Sequence, residues 1–412
     1  MKICVLTLGC KVNECESRSL ITTLREKGHD VTEELVSADC YVINTCSVTG
    51  EADRKSRQTV GKAIKANPEA KIYVCGCSSQ RDSSAYEKHE NVVFITGNGT
   101  KSDIIQYVMS DIVPKKKDFT RDIPKHFEYL AVPAHEKTRD YIKVQDGCNN
   151  FCSYCIIPYV RGRSRSRDID DVIREATISA NRTKEIVLTG IDVSSYGKDV
   201  GSSLKELAER MATIPVIKRI SSFECTVIDD ELLSTLKSAG FCDHFHLSLQ
   251  SGSDKILKKM NRHYTTEEYM DKVKLIRKHF PNAGITTDVI TGFPTETEED
   301  FSDTYEFIKN VGFSDMHVFP YSERKGTKAT NFPQLRMDER RRRARVLGVL
   351  KEESKSNFLK KQIGQTLSVY YEEDMAGLSV GYAENYVRVY GNGKPGEIEK
   401  KTISEIYKEG VK

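Results

Sequence analysis

From residue 139 onward, short apolar runs alternate with amphipathic stretches six times. The runs are YIKVQDG (141–147), EIVLTGID (185–192), KRISSFE (218–224), HFHLSLQ (244–250), GITTDVITGF (284–293) and DMHVFPYS (315–322), with segments such as DIDDVIREATISANR and EEDFSDTYEFIKNVG between them. A strand-length run followed each time by a helical pattern does not form hairpins. It builds βα units, and such units of roughly 35 residues in series give a parallel sheet that curves into a full or partial barrel. The pattern predicts an α/β fold whose centre is a partial (β/α)6 barrel over residues 138–360, ending in a charged helical stretch at 336–361.

Two further units flank it. KICVLTLG (2–9), CYVINT (40–45), KIYVCG (71–76) and NVVFITG (91–97) read as strands, and the first three are separated by helical patterns. This predicts an open parallel α/β sheet within residues 1–125. A proline- and charge-rich stretch at 112–138 reads as a linker. The tail 362–412 changes to short alternating segments broken by Gly and Asn, which predicts a small all-β module. About 50 residues make a marginal core, so the module is expected to dock on the rest.

Net charge is only +3, from 63 basic and 60 acidic residues, so any surface for a polyanion must be local. No signal-peptide pattern and no apolar run of ~18 residues is seen, which excludes a membrane span of that kind and predicts a cytoplasmic protein. In a reducing compartment the 12 cysteines read as metal ligands before disulfides.

Three of them, Cys148, Cys152 and Cys155, form C-x₃-C-x₂-C directly after the first barrel strand. Ligand sites of parallel barrels lie at strand C-terminal ends. Three thiolates can bind three irons of a cubane and leave the fourth open to a small molecule. A zinc knuckle completed from elsewhere is the competing reading. The loop resembles that of the radical S-adenosylmethionine enzymes, where the open iron chelates S-adenosylmethionine and an electron from the cluster splits it to a 5′-deoxyadenosyl radical. The resemblance implies that the backbone of Tyr154 meets the adenine. It also makes Gly190, Asp192, Glu224, Gln250 and Asp288, at strand ends, candidate cofactor or substrate contacts. Ordinary strand-end polar residues are the alternative for each.

A second triplet shares a structural address. Cys10, Cys46 and Cys77 each follow a predicted strand of the first domain, and neighbouring strand ends of an open parallel sheet form one crevice. Buried structural cysteines are the alternative, and that is the reading for Cys4, Cys15, Cys40, Cys75, Cys225 and Cys242. TLGCKVNECES (7–17), NTCSVTGEADRKSRQ (44–58) and CGCSSQR (75–81) resemble the N-terminal domain of the methylthiotransferases, and the tail resembles TRAM domains. The resemblance implies an auxiliary [4Fe–4S] cluster on Cys10, Cys46 and Cys77. The third motif departs from the family pattern at Cys75 and Ser78, so Cys75 is a competitor for iron.

The implied reaction is methylthiolation of an unactivated carbon, using two [4Fe–4S] clusters and S-adenosylmethionine. Family members act on threonylcarbamoyladenosine or isopentenyladenosine in tRNA, or on a ribosomal aspartate. The wording of the motifs most resembles the first group. Isopentenyl-specific relatives carry Met-Asn after the first cysteine, whereas Lys11 and Val12 precede Asn13 here. The expected product is 2-methylthio-N6-threonylcarbamoyladenosine, 3′ of the anticodon. A carboxylate-bearing substrate also calls for a basic residue in the cavity. Arg161, Arg163, Arg165 and Arg167 after the cluster loop, Arg340 and Arg341 before the tail, and the lysines at 115–117 are candidate contacts to a tRNA anticodon stem-loop. Tyr370, Tyr371, Tyr382, Tyr386 and Tyr390 are candidates for stacking on bases. A solvated helix face and tyrosines in a core are the alternatives. A flavodoxin- or ferredoxin-like electron donor and a monomeric chain are expected. The reading from a different class is a non-catalytic iron–sulfur RNA-binding protein.

Overall fold

The computed structural model describes residues 1–412 except 111–113, 115–116, 121–122, 134–137 and 376. Five strands, β1 (Lys2–Thr7), β2 (Asp30–Thr32), β3 (Cys40–Thr45), β4 (Lys71–Gly76) and β5 (Val92–Ile95), form a wholly parallel sheet in the order β2-β1-β3-β4-β5. Four of them follow the sequence reading. The edge strand β2 does not, because three residues carry no periodicity to read. Apolar side chains cover both faces: Ile3, Val5, Val42, Tyr73 and Cys75 on one, Cys4, Leu6, Ile43 and Val74 on the other. The helix Gly50–Ala66 starts where Thr49 accepts a hydrogen bond from the Ala52 amide and acids occupy the first turn. Strand order reverses at β1/β3, so the crevice for a ligand lies beyond the C-terminal ends of those two strands.

The six predicted barrel strands are present and parallel: β6 (Arg139–Lys143), β7 (Glu185–Thr189), β8 (Ile217–Ile220), β9 (His244–His246), β10 (Gly284–Thr291) and β11 (Asp315–Pro320). They run β8-β7-β6 and β9-β10-β11. Parallel bridges Lys218↔Phe241 and Phe223↔Leu247 join the two halves. Among the described residues, β6 and β11 do not pair with each other, so the barrel is open between them. The core lies between strands and outer helices, built from Ile142, Ile186, Leu188, Leu207, Leu233, Ile285 and Met316 among others. Inward-pointing residues of β9–β11 (His246, Thr286, Asp288, Asp315, His317) are polar and only part-buried or exposed, so the lumen is open to solvent.

The helix Met337–Gln362 leads to a six-stranded sheet whose strands are Thr366–Met375, Leu378–Ala383, Arg388–Gly391, Ile398–Thr402, Ile406–Tyr407 and Gly410–Val411. The last two, of two residues each, are too short to be legible in sequence. The module is docked on the barrel. Arg219 donates to the carbonyls of Ala383 (2.8 Å) and Glu384 (3.0 Å), and Tyr370 Oη donates to the Thr138 carbonyl at 2.9 Å. Gly284 admits the close approach: a Cβ there would stand 2.1 Å from the Asn385 carbonyl oxygen. Among the described residues no helix is long and apolar enough to cross a membrane.

Candidate active site

Cys10 caps the helix Lys11–Glu26 just beyond β1, Cys46 follows β3, and Cys77 opens the short helix Cys77–Arg81 after β4. Glycines bring these segments together. Gly9 has φ +105°, and a Cβ on it would lie 2.6 Å from Cys46 Sγ. Gly76 has φ +104°, and a Cβ there would lie 2.4 Å from the Thr45 carbonyl oxygen. Burial pushes the Cys46 thiol up to about 12, and the neighbouring Cys77 and Cys10 add to the rise. Cys75 points to the other side, into the sheet core with Tyr73 and Phe94; its fully buried thiol is likewise raised to about 12.

The loop carrying Cys148, Cys152 and Cys155 is pinned by its backbone. The Ser153 amide donates to the Met260 carbonyl (2.9 Å), and the Ala329 amide to the Ser153 carbonyl (2.7 Å). The Asn150 amide donates to Cys148 Sγ at 3.4 Å, and Arg262 Nη1 to Cys152 Sγ at 3.4 Å. Burial, with Cys152 beside it, pushes Cys155 up to about 12, and burial with the nearby Asp192 carboxylate pushes Cys148 higher still.

The two triplets approach each other. Cys77 belongs to an apolar cluster with Ile156, Ile157 and Val160, and Cys155 and Ile191 pack at its edge. Cys77 Sγ also accepts from Asn98 Nδ2 (3.6 Å) and from Arg161 Nε (3.2 Å). Beneath it lies a buried ion cluster drawn from both domains. Arg161 donates to Glu16 and Asp146 at 3.0 Å, Lys143 meets both carboxylates at 2.7 Å, and Lys101 meets Glu16 at 2.8 Å. These cations hold Glu16 and Asp146 well below the usual carboxylate range against the opposing effect of burial.

The strand-end candidates spread over two levels. Asp192 stands next to the loop, with its carboxylate 3.5 Å from Asn150 Nδ2 and 3.8 Å from Cys148 Sγ. Its backbone amide donates to Gln145 Oε1 at 2.8 Å, and Gly190 is needed there because a Cβ would press on the same Gln145 side chain at 3.0 Å. Glu224 pairs with Arg262 at 2.5 Å and so belongs to the Cys152 side. Burial raises both Asp192 and Glu224 above the usual carboxylate range. Gln250 adopts φ +68°, and its amide donates to the Asp288 carbonyl at 2.9 Å. The Asp288 side chain faces the lumen, 3.3 Å from His246 Nε2. The Tyr154 side chain packs against the apolar cluster of Ile256, Met260, Phe293 and Tyr321.

Four of the six arginines expected at RNA are elsewhere. Arg161 is 0% exposed within the ion cluster. Arg165 is buried against the carbonyls of Arg161 and Arg163, each at 2.7 Å. Arg167 is buried against Asp171 and Glu175, and Arg340 against Glu323, Gln334 and the Tyr321 carbonyl. These guanidinium groups are buried and engaged by carboxylates, carbonyls and, for Arg340, the Gln334 amide oxygen, so they are not presented at the surface to a phosphate. Arg163 and Arg341 are exposed, Arg163 lying 4.3 Å over the Phe151 ring. Lys115 and Lys116 lie outside the described residues. Tyr370, Tyr371 and Tyr390 are buried, whereas Tyr382 and Tyr386 are part-buried and stack on each other at 4.8 Å.

Sequence reasoning missed Arg262, Asn98 and Gln145, whose types and spacing carry no signature. It also missed a cavity of about 320 Å³ between the open barrel edge and the β module. Its lining includes Arg139, Arg219, His244, His246, His317, Tyr386 and, from the helix after Cys10, Lys11. The size suits a small-molecule pocket, and its walls mix cationic and aromatic side chains with the aliphatic Val187, Ile220, Leu359 and Val387 and the carboxylates of Asp315 and Glu409. Among the described residues no three His, Cys, Asp or Glu side chains close on a single metal ion. A cluster differs in placing each thiolate on a separate iron.

Comparison with known proteins adds the following. Residues 142–308 match the Radical SAM superfamily and residues 2–97 match Uncharacterized protein family UPF0004. The chain is 38% identical to threonylcarbamoyladenosine tRNA methylthiotransferase MtaB of Aquifex aeolicus (strain VF5), over 95% of this chain and 97% of that one. It is 37% identical to the protein of the same name from Bacillus subtilis (strain 168), over 98% and 93%. It is also 37% identical to tRNA-2-methylthio-N(6)-dimethylallyladenosine synthase of Natranaerobius thermophilus, over 84% and 79%. Among solved structures, the radical S-adenosylmethionine methyltransferase TsrM from Kitasatospora setae, with cobalamin and a [4Fe-4S] cluster bound, superposes with a TM-score of 0.57 at 13% identity, covering 77% of this chain and 74% of that one. That likeness is one of fold.

Proposed function

The chain belongs to the tRNA methylthiotransferases of the radical S-adenosylmethionine superfamily, and from that premise we propose that it methylthiolates carbon 2 of N6-threonylcarbamoyladenosine 3′ of the anticodon. The observation that carries the choice of base is the lumen. Lys11, Arg139, Arg219, His246 and His317 stand in its lining among the aliphatic Val187, Ile220, Leu359 and Val387. Lys11, which has no carboxylate partner among the described residues, offers a charge that a carboxylate-bearing substituent would use and a dimethylallyl group would not. Relatives named for threonylcarbamoyladenosine also match a larger share of the chain than the dimethylallyladenosine relative does.

The donor set fits two [4Fe–4S] clusters. Cys148, Cys152 and Cys155 would hold one and leave an iron for S-adenosylmethionine, and Cys10, Cys46 and Cys77 would hold the other. When bound, the first supplies the electron that cleaves S-adenosylmethionine for hydrogen abstraction, and the second presents the sulfur to be transferred. The residues around them prepare the site. Arg161 and Arg262 direct N–H donors at the Cys77 and Cys152 sulfurs. Thiols that burial keeps protonated give up protons as metal loads. Asn150 and Gln145 fix Asp192 beside Cys148, where its carboxylate would serve to accept from the amino group of S-adenosylmethionine. Gly190, Glu224, Gln250, Asp288 and the Tyr154 backbone complete the proposed cofactor and substrate walls.

Arg163 and Arg341 are the proposed contacts to the anticodon stem-loop, with a flavodoxin- or ferredoxin-like donor, a cytoplasmic setting and a monomeric chain. Mass spectrometry of tRNA nucleosides from a deletion strain, before and after complementation, tests the substrate. Return of 2-methylthio-N6-threonylcarbamoyladenosine is expected. Return of only the dimethylallyl product, or thiolation of a ribosomal protein instead, would sink the reading.

A further inference from the structure

The lumen cavity holds five permanent cations, and four are already answered by carboxylates. Arg139 pairs with Glu372 and lies 3.6 Å from Glu185. Arg219 pairs with Glu185 at 3.0 Å, Lys355 with Asp315 at 3.6 Å and Arg388 with Glu409 at 2.6 Å. Lys11 is different. It is exposed, lines the cavity, and among the described residues has no carboxylate partner; its ammonium lies 5.6 Å from the centre of the Tyr141 ring. The Ser221 hydroxyl, also in the lining, is buried without a hydrogen-bond partner. His244, in the same lining, is held well below its ordinary range first by burial and then by Arg219, His246, Lys11 and Arg139 around it.

Lys11 is also the residue after Cys10 and the first residue of its helix. A group bound at Lys11 would therefore be held by the chain neighbour of one cysteine of the triplet proposed to deliver sulfur. The base carbon that accepts the sulfur must lie near that triplet, and the N6 substituent of the same base carries a carboxylate. We propose that Lys11 forms the anion subsite of the lumen and holds the carboxylate of the threonylcarbamoyl group, so that this residue selects the substrate. The assignment rests on the substrate reading above. An ammonium on a carboxylate is a charge-assisted hydrogen bond. Its loss leaves the carboxylate in a cavity whose other permanent cations are already paired.

The test uses the reconstituted full-length enzyme, with Lys11→Met and Lys11→Arg variants of equal iron content. The substrates are stem-loops carrying either threonylcarbamoyladenosine or its threonine-amide analogue. On the carboxylate substrate, Lys11→Met is expected to lose about ten- to a hundredfold in kcat/KM, mainly through KM, and Lys11→Arg to recover most of it. On the amide, wild type and Lys11→Met are expected to be equally poor. Undiminished kcat/KM of Lys11→Met on the carboxylate substrate, or the same fold loss on both substrates, overturns the subsite and leaves the substrate reading standing. A wild-type enzyme inactive on threonylcarbamoyladenosine overturns both.

Discussion

Arg161 Nε donates to Cys77 Sγ at 3.2 Å, while the two Nη groups of the same guanidinium are bonded to Glu16, Asp146 and Asn13. One side chain of the barrel domain thus ties the N-terminal domain to itself and charges the surroundings of a proposed cluster ligand. Arg161→Gln leaves two buried carboxylates short of a cation, and breaking a buried pair in this way costs about 3–5 kcal/mol. A large fall in thermal stability is expected. Arg161→Lys keeps the charge but cannot reproduce the fork. It should fold, and with its donor to sulfur lost the Cys77-side cluster should show a more negative midpoint in EPR-monitored titration. An unchanged midpoint would confine Arg161 to holding the domains together.

Why the sequence misplaced this arginine is physical. RGRSRSR presents four guanidinium groups at every second position, the pattern of a basic strand edge. The carboxylates that neutralise Arg161 come from residue 16 and residue 146, and no local pattern announces a partner 145 residues away. The strands and cysteine positions were legible because periodicity and strand-end address are local properties. The lumen was not, because it is made by inward-pointing residues of separate strands and by Tyr386 of the module.

Gly9 should be intolerant in a specific way. Its φ is +105°, and a Cβ would meet Cys46 Sγ at 2.6 Å. Gly9→Ala is expected to lower iron content towards that of a single cluster. Gly28→Ala is the comparison: φ is +85° but nothing lies within 4 Å, so only the backbone strain of about 1–2 kcal/mol remains and iron content is retained. Equal iron in the two variants would contradict the packing argument.

The cysteine variants separate the two triplets. Cys148→Ala is expected to abolish formation of 5′-deoxyadenosine from S-adenosylmethionine with dithionite. Cys46→Ala should retain some of that cleavage but no methylthiolation. Cys75→Ala, whose thiol is buried in the sheet core, should leave both reactions intact and destabilise the fold only modestly. Full methylthiolation by the Cys46 variant would remove the second cluster from the chemistry.

His244 links pH to docking of the β module. Its ring stacks on Tyr386 at 4.5 Å, and Nε2 lies 3.1 Å from Thr286 Oγ1. Burial, then the surrounding cations, hold its folded-state value well below the ordinary ~6.5. The unfolded chain therefore takes up a proton near pH 6.5 that the folded chain refuses. This contribution to stability is whole above about pH 6.5 and declines as pH falls towards the folded value. His244→Phe keeps the stack and removes the titration. Thermal unfolding at about pH 7.5 and 5.5 should show a smaller acid-induced loss in the variant than in wild type. Equal losses would place the acid sensitivity elsewhere.

Exposed and buried arginines make opposite predictions for RNA. Arg163 is exposed beside the cluster loop and Arg341 is exposed on the long helix, whereas the neighbouring Arg340 is buried against Glu323 and Gln334. If each exposed residue contacts a phosphate, Arg163→Gln or Arg341→Gln should reduce the slope of log affinity against log salt by about one. Neither should alter thermal stability much, since exposed substitutions usually stay within about 0.5 kcal/mol. Arg340→Gln should do the reverse, destabilising the helix–barrel packing with little change in slope. A salt slope that responds to Arg340 and ignores Arg163 and Arg341 would mean that RNA lies on another face.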